Sequence, residues 1–63
     1  MKFNELEKGK IYTDKNGVET LEFVEFRNDY IATFNQCDYD DDGNLIITAR
    51  IRYLTRNEVK KLI

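Results

Sequence analysis

The stretch that decides the fold is Asp38–Leu54, which reads Asp-Tyr-Asp-Asp-Asp-Gly-Asn-Leu-Ile-Ile-Thr-Ala-Arg-Ile-Arg-Tyr-Leu. From position 45 onward, apolar side chains occupy the odd positions, which is the period of a strand with one buried face. These residues are Leu45, Ile47, Ala49, Ile51 and Tyr53. Asp42-Gly43 before them predicts a two-residue type I′ hairpin turn, because Asn-Gly and Asp-Gly tolerate the positive φ that this turn needs. The sequence therefore predicts a long hairpin strand whose odd positions face the core.

Three further strands precede this one in the predicted sheet. They span Lys10–Asp14, Val18–Arg27 and Tyr30 to about Tyr39. Asn16-Gly17 joins the first two and is a second type I′ signal. In the second strand the apolar residues change face after Phe23, which predicts either a bulge or burial on both faces.

Loop lengths predict how these strands pair. Two-residue loops at Asn28-Asp29 and at Asp42-Gly43 place Phe34 opposite both Phe23 and Ile51. The same register places Ala32 opposite Tyr53 and Asn35 opposite Arg50, and it pairs Phe26 with Ile31 and Val24 with Thr33. Val24, Phe26 and Ile31 then form a second apolar area, which barrel closure, the C-terminal helix, a partner protein or a homodimer seam must cover.

Short helical segments are predicted at both ends of the chain. Near the N-terminus, Phe3–Gly9 fits a single turn with Asn4 as N-cap, Gly9 as left-handed exit, and Phe3 and Leu6 on the sheet. Near the C-terminus, Thr55–Glu58 fits a capping box. The helix that follows has one apolar face, formed by Val59, Leu62 and Ile63. The predicted fold is mainly β, a strongly bent four-stranded antiparallel meander or a small, partly open barrel.

Composition limits the function. The 63 residues form a single small domain, 1–63, with little room for a deep substrate cavity. The chain contains neither His nor Ser and only one Cys, Cys37, so Ser-His and Cys-His nucleophiles are impossible. We therefore expect no enzyme, no cofactor and no bound metal. The absence of a signal peptide, of a long apolar run and of paired cysteines predicts a cytoplasmic protein without a membrane segment.

Charge is distributed unevenly along the chain. Residues 1–49 carry eleven Asp or Glu against five Lys or Arg, net −6, whereas residues 50–63 carry five Lys or Arg against one Glu, net +4. The acidic part could imitate nucleic-acid phosphates and bind a basic surface on another protein, although surface charge also serves solubility alone. The predicted partner-binding residues are Glu19, Glu22, Glu25, Asp38, Asp40, Asp41 and Asp42.

The acidic turn also has a calcium-binding interpretation. Asp38-x-Asp40-x-Asp42-Gly43 matches the start of an EF-hand loop, whose staggered carboxylates surround the ion. The twelfth position, which needs a bidentate Glu, is Ala49, and the flanking segments are predicted strands instead of helices. A solvated hairpin turn is the preferred interpretation, so no metal ligand is assigned.

The basic end of the chain offers an alternative function. A small barrel that binds single-stranded nucleic acid could use these cations together with exposed tyrosines. The residues concerned are Arg50, Arg52, Arg56, Lys60 and Lys61. Ordinary cross-strand ion pairs explain the arginines equally, and a pI of about 5.0 is unlike that of most nucleic-acid-binding domains. Direct nucleic-acid binding is therefore the second choice.

Taken together, the segments 1–12 and 52–63 resemble small orphan proteins encoded by bacteriophages and mobile elements, and bent meanders of this length resemble the Src-homology-3-like barrel. The resemblance rests mainly on Phe3, Leu6, Gly9, Tyr12, Asp42-Gly43 and Thr55–Glu58. It implies a phage product acting in the host cytoplasm, as a monomer or homodimer, that inhibits a host defence or nucleic-acid-handling protein by binding it, as anti-CRISPR proteins do. The predicted C-terminal helix replaces the short fifth strand of such a barrel.

Overall fold

The secondary structure follows the predicted order of elements. A computed structural model of the chain describes residues 1–62. A short 3-10 turn at Phe3–Glu5 precedes four strands and a short helix. The strands are β1 (Ile11–Thr13), β2 (Thr20–Phe26), β3 (Ile31–Tyr39) and β4 (Leu45–Thr55), and the helix is α1 (Arg56–Val59).

The four strands form one antiparallel sheet in the order β1-β2-β3-β4. Each strand pairs with its neighbours in sequence, and in the part of the chain that the structure describes β1 and β4 do not pair with each other. The sheet is therefore open. The predicted mainly β fold, a four-stranded antiparallel meander, is confirmed, and its sheet does not close into a barrel within residues 1–62.

One face of the sheet carries the hydrophobic core. The 3-10 turn supplies Phe3 and Leu6, and the C-terminal segment supplies Val59 and Leu62. The sheet itself supplies Tyr12, Leu21, Phe23, Ala32, Phe34 and Leu54. Both ends of the chain thus cover the same face, and the opposite face has no covering element in residues 1–62. No helix within that range is long and apolar enough to cross a membrane.

The N-terminal turn lies where the sequence predicts it. Phe3 and Leu6 are buried as predicted, but the turn ends at Glu5 and Leu6 is already extended, so Gly9 is not its exit. Gly9 does have a positive φ, 81°, three residues further along the chain than Leu6. Asn4 is not the N-cap, however. The cap position falls on Lys2, whose side chain makes no capping hydrogen bond.

Both type I′ turns predicted from Asn16-Gly17 and Asp42-Gly43 are wrong. That turn needs positive φ at both central residues, and no residue other than glycine has positive φ within residues 1–62. The second loop is longer than predicted, because the N–H of Asp40 donates to the carbonyl of Asn44 at 3.0 Å and encloses three residues. It is a turn followed by a left-handed glycine, the usual three-residue hairpin loop.

The bulge predicted in β2 is confirmed and lies between Phe23 and Glu25. Phe23 pairs with Phe34 as expected, but beyond the bulge Phe26 pairs with Ala32 and not with Ile31, and Glu25 replaces Val24 opposite Thr33. The extra residue turns Phe26 toward the core side, where its ring lies 5.0 Å from Phe3 and 4.9 Å from Phe23. The predicted second apolar area of Val24, Phe26 and Ile31 is therefore not formed as a unit.

The prediction that the odd positions of β4 are buried is wrong, because the other face of the strand meets the core. Phe34 pairs with Arg52, Ala32 with Leu54, and Asn35 with Ile51. Because a shift of one residue moves every side chain to the other face, Leu54 enters the core. The odd positions Leu45, Ile47, Ala49, Ile51 and Tyr53 are exposed.

The C-terminal helix begins as predicted and is shorter than expected. The Thr55 hydroxyl accepts a hydrogen bond from the N–H of Glu58, and the Glu58 carboxylate accepts one from the N–H of Thr55, so the capping box is confirmed. The helix ends at Val59, which is buried, as is Leu62. The predicted contribution of Ile63 lies outside the described residues.

The face of β4 can be tested by truncating one residue on each side of it. Leu54→Ala should lower the free energy of unfolding by about 2–5 kcal/mol, because it leaves a cavity in the core. Ile51→Ala should change it by less than about 1 kcal/mol, because that side chain is exposed. Urea unfolding followed by circular dichroism measures both, and a larger effect for Ile51→Ala would contradict the register.

Candidate functional site

The β3–β4 hairpin extends beyond the rest of the sheet. The pairing of β2 with β3 ends at Thr20 and Cys37, whereas β3 and β4 continue to pair through Asp38 with Ile46 and Tyr39 with Leu45. We call residues 38–47 the arm. A two-stranded hairpin without a third strand is marginally stable by itself, so its turn must be well formed.

Asp40 holds that turn together. Its Oδ1 accepts hydrogen bonds from the N–H of Asp42 at 2.9 Å and of Asn44 at 2.8 Å. Its carbonyl accepts the N–H of Gly43 at 3.0 Å. The hydrogen bond from the Asn44 N–H, supported by those from the Asn44 amide and from the N–H groups of Asp42 and Gly43, lowers the pKa of the Asp40 carboxyl from its ordinary value, although desolvation acts in the opposite direction. Asp40 therefore stays ionised and serves the turn.

The remaining carboxylates of the arm form no ion pair within residues 1–62. Asp38, Asp41 and Asp42 are exposed, and the two ion pairs found within residues 1–62 involve other groups. Apolar side chains accompany them on the arm. Tyr39, Leu45, Ile46 and Ile47 are all exposed, Tyr39 by 57%. The arm thus combines unneutralised negative charge with exposed apolar surface.

The other predicted acidic residues lie elsewhere. Glu19 is bound by Arg52, whose Nη2 and Nε donate to its two oxygens at 2.9 Å and 3.1 Å. Glu22 accepts a hydrogen bond from the Asn35 amide at 3.2 Å, and Glu25 is exposed next to the β2 bulge. Of the seven predicted partner-binding residues, the structure groups only the four aspartates of the arm.

The arm does not form a calcium cage. Asp40 uses an oxygen for two backbone amides, and Ala49 lies in a second bulge, where Thr48, Ala49 and Arg50 stand opposite Gln36 alone. Within residues 1–62, no three His, Cys, Asp or Glu side chains come close enough to hold a metal ion.

The predicted basic cluster is dispersed. Arg50 is exposed in the β4 bulge, and Arg52 is held by Glu19. Arg56 donates to the carbonyl of Asp29 at 2.7 Å and lies 4.5 Å from the ring centre of Phe3. Lys60 and Lys61 are exposed beyond the helix. These five side chains do not form one continuous face.

Two further features bear on chemistry. A cleft of about 300 Å³ lies between the β1–β2 loop, β4 and the C-terminal segment, and it contains the Glu19–Arg52 pair with Lys15 and Lys61. The only thiol, Cys37, is buried, and desolvation together with the charge of Glu22 raises its pKa. A protonated, buried thiol is a poor nucleophile.

The exposed stripe of β4 does not follow from the sequence pattern. Its outward residues are Leu45, Ile47, Ile51 and Tyr53, of which Ile51 is exposed by 55%. Arg50 and Arg52 occupy even positions, and their charges make the even side of β4 look solvated, although that side meets the core at Leu54. The signal that could have corrected this is Glu19, a partner able to neutralise Arg52 on the core side, but it is 33 residues away in sequence.

Comparison with known proteins adds no family: no protein-family model, no curated protein and no solved structure matches the chain.

The role of Asp40 predicts a pH-dependent turn. Folding lowers the pKa of the Asp40 carboxyl below its ordinary 3.8, so the ionised carboxylate stabilises the fold above pH 3.8. This stabilisation is lost as the pH falls through the lower pKa of the folded state. Asp40→Ala should therefore lower the melting temperature at neutral pH, and the gap from wild type should close below about pH 4.

Asp41→Ala is the matched control, because its side chain makes no hydrogen bond within residues 1–62, and it should leave the melting temperature nearly unchanged. Thermal unfolding at a series of pH values measures both variants. A gap for Asp40→Ala that is equal at neutral and acid pH would assign its effect to something other than the ionised carboxylate.

Proposed function

We propose that the protein acts without catalysing a reaction, by binding a basic surface of another protein through the acidic arm. The arrangement of charge on the arm carries this proposal. Asp38, Asp41 and Asp42 project on a hairpin with no Lys or Arg group within 4.0 Å in the described chain, whereas Glu19 on the sheet is neutralised. Unpaired like charges repel one another and are relieved when an oppositely charged surface approaches.

The apolar side chains of the arm support binding to protein. Tyr39 and Ile46 lie beside these carboxylates and are exposed by 57% and 46%. Aromatic residues are enriched in protein interfaces, where they bury a large area with little loss of conformational freedom. A partner that fits this arm has a basic groove with an apolar floor.

Grooves that bind nucleic acid have the required positive charge. The proposal is therefore that the chain occupies such a groove on a host defence or nucleic-acid-handling protein and inhibits it, in the manner of a phage-encoded inhibitor. The dispersal of Arg50, Arg52, Arg56, Lys60 and Lys61 favours this role over direct nucleic-acid binding.

Charge reversal on the arm tests the proposal. In the variant Asp38→Lys/Asp41→Lys/Asp42→Lys, Asp40 is kept so that the turn forms. The matched control is Glu5→Lys/Glu7→Lys/Asp29→Lys, which changes the net charge equally at exposed positions away from the arm. Circular dichroism establishes that both variants are folded.

The readout is inhibition of a panel of purified bacterial nucleic-acid-handling enzymes, followed by direct measurement of the affinity for any enzyme inhibited. Wild type and control should inhibit, and the arm variant should bind at least about tenfold more weakly, a loss of about 1.4 kcal/mol. Equal inhibition by the arm variant, absence of any inhibition, or binding of the chain itself to DNA or RNA at low salt would each contradict the proposal.

A further inference from the structure

The outer edge of β4 is free. At the opposite edge of the sheet, β1 is followed by contacts with the C-terminal segment: Asp14 forms a bridge with Leu62, and the N–H of Lys15 donates to the carbonyl of Lys61 at 2.8 Å. In residues 1–62 no segment pairs with the outer side of β4, which is the longest strand. A long exposed edge with apolar side chains is a template for another strand.

The hydrogen-bonding pattern shows which residues of β4 direct their backbone groups outward. The backbone hydrogen bonds between Asp40 and Asn44 and between Tyr30 and Arg56 identify these as hydrogen-bonded pairs at the two ends of the hairpin. Because antiparallel pairs alternate between bonded and non-bonded, the intervening alternate residues point their N–H and C=O away from β3. These residues are Leu45, Ile47, Ile51 and Tyr53.

The β4 bulge keeps this edge continuous. Ile47 pairs with Cys37 and Ile51 with Asn35, so only one residue of β3, Gln36, lies between the partners of the two isoleucines. The extra residues are held by Thr48, whose hydroxyl donates to the carbonyl of Gln36 at 2.8 Å and accepts the N–H of Arg50 at 3.2 Å. Ile47 and Ile51 therefore occupy consecutive outward positions of the edge.

We propose that the free edge of β4 pairs with β4 of a second copy of this chain, antiparallel and around a two-fold axis between Ile47 and Ile51. In this register Ile47 of one copy faces Ile51 of the other, and Leu45 faces Tyr53 of the other. All four are exposed in the single chain, by 49%, 55%, 39% and 48% respectively. Each apolar residue of the edge thus meets an apolar residue, and the outward backbone groups of both strands are in phase.

Charge favours the second copy over other strands. The strand runs from the acidic turn of Asp41 and Asp42 to the basic start of α1 at Arg56, so an antiparallel copy brings the acidic end of each strand alongside the basic end of the other. A register shifted by one outward position instead places Leu45 opposite Thr55, or Tyr53 opposite the turn at Gly43, so that an apolar residue of each copy loses its apolar partner. The proposed register is therefore the one that matches both the apolar residues and the charges.

The dimer goes beyond the proposed function and does not depend on it. It joins two four-stranded sheets into one and leaves Asp38, on the β3 side of each arm, uncovered. The two arms extend in opposite directions, which gives the dimer two contact sites. The self-association surface is the edge of β4, whereas the proposed partner surface is the acidic end and β3 side of the arm.

The first test is the mass in solution, measured by sedimentation equilibrium over a range of concentrations. Wild type should reach twice the mass of one chain, and Ile47→Lys should remain at the mass of one chain or dissociate at least about tenfold more readily, because a charge at an edge opposes pairing. Val18→Lys is the control, since Val18 is exposed by 79% outside β4, and it should dimerise as wild type does.

The second test fixes the register by disulfide cross-linking in a Cys37→Ala background. A mixture of Ile47→Cys and Ile51→Cys chains should form mixed disulfides, because directly opposed Cα atoms lie about 5.5 Å apart. Each variant alone should cross-link much less, because its two cysteines are diagonal neighbours about 7–8 Å apart.

Three results would overturn the dimer: a wild type that stays at the mass of one chain at millimolar concentration, an Ile47→Lys variant that dimerises unchanged, or cross-linking of Ile47→Cys with itself in preference to the mixture. None of these measurements uses the host partner, so failure of the dimer leaves the acidic-arm proposal standing.

Discussion

The turn at Asp40 sets the geometry on which the rest of the structure depends. Its carboxylate and carbonyl bind the backbone N–H groups of Asp42, Gly43 and Asn44, and the resulting loop encloses three residues instead of two. The one extra residue in this loop decides which face of β4 meets the core. The later bulge adds two residues, an even number, so Leu54 remains inside and the outward stripe stays outward along the whole strand.

The sequence predicts the strands and helical turns correctly, but it does not predict which face of β4 is buried. Four strands, the β2 bulge and the capping box at Thr55 follow from local patterns, because each depends on residues close together in the chain. The buried side of β4 does not, since both sides carry apolar residues and the more numerous set is the exposed one. Arg52 looks like a surface residue until Glu19 is brought beside it, and only the folded sheet provides that contact.

The acidic arm and the edge of β4 also differ in how far the sequence alone predicts them. The four aspartates of the arm are close in sequence, and the hairpin necessarily keeps them together, so this part of the site was predictable. Glu19, Glu22 and Glu25 belong to another strand, and their surroundings depend on the partners across the sheet. The edge of β4 became visible only from the topology, because a sequence does not reveal which strand is outermost.

The charge asymmetry of the chain has a sharper form in the structure than in the sequence. The excess of positive charge after position 49 is partly used internally, since Arg52 binds Glu19 and Arg56 lies against Phe3 and the Asp29 carbonyl. No Lys or Arg in the described chain neutralises the negative charge of Asp38, Asp41 and Asp42. In the proposed function, the aspartates without ion pairs supply long-range attraction to the partner, and the exposed apolar residues beside them supply short-range contact.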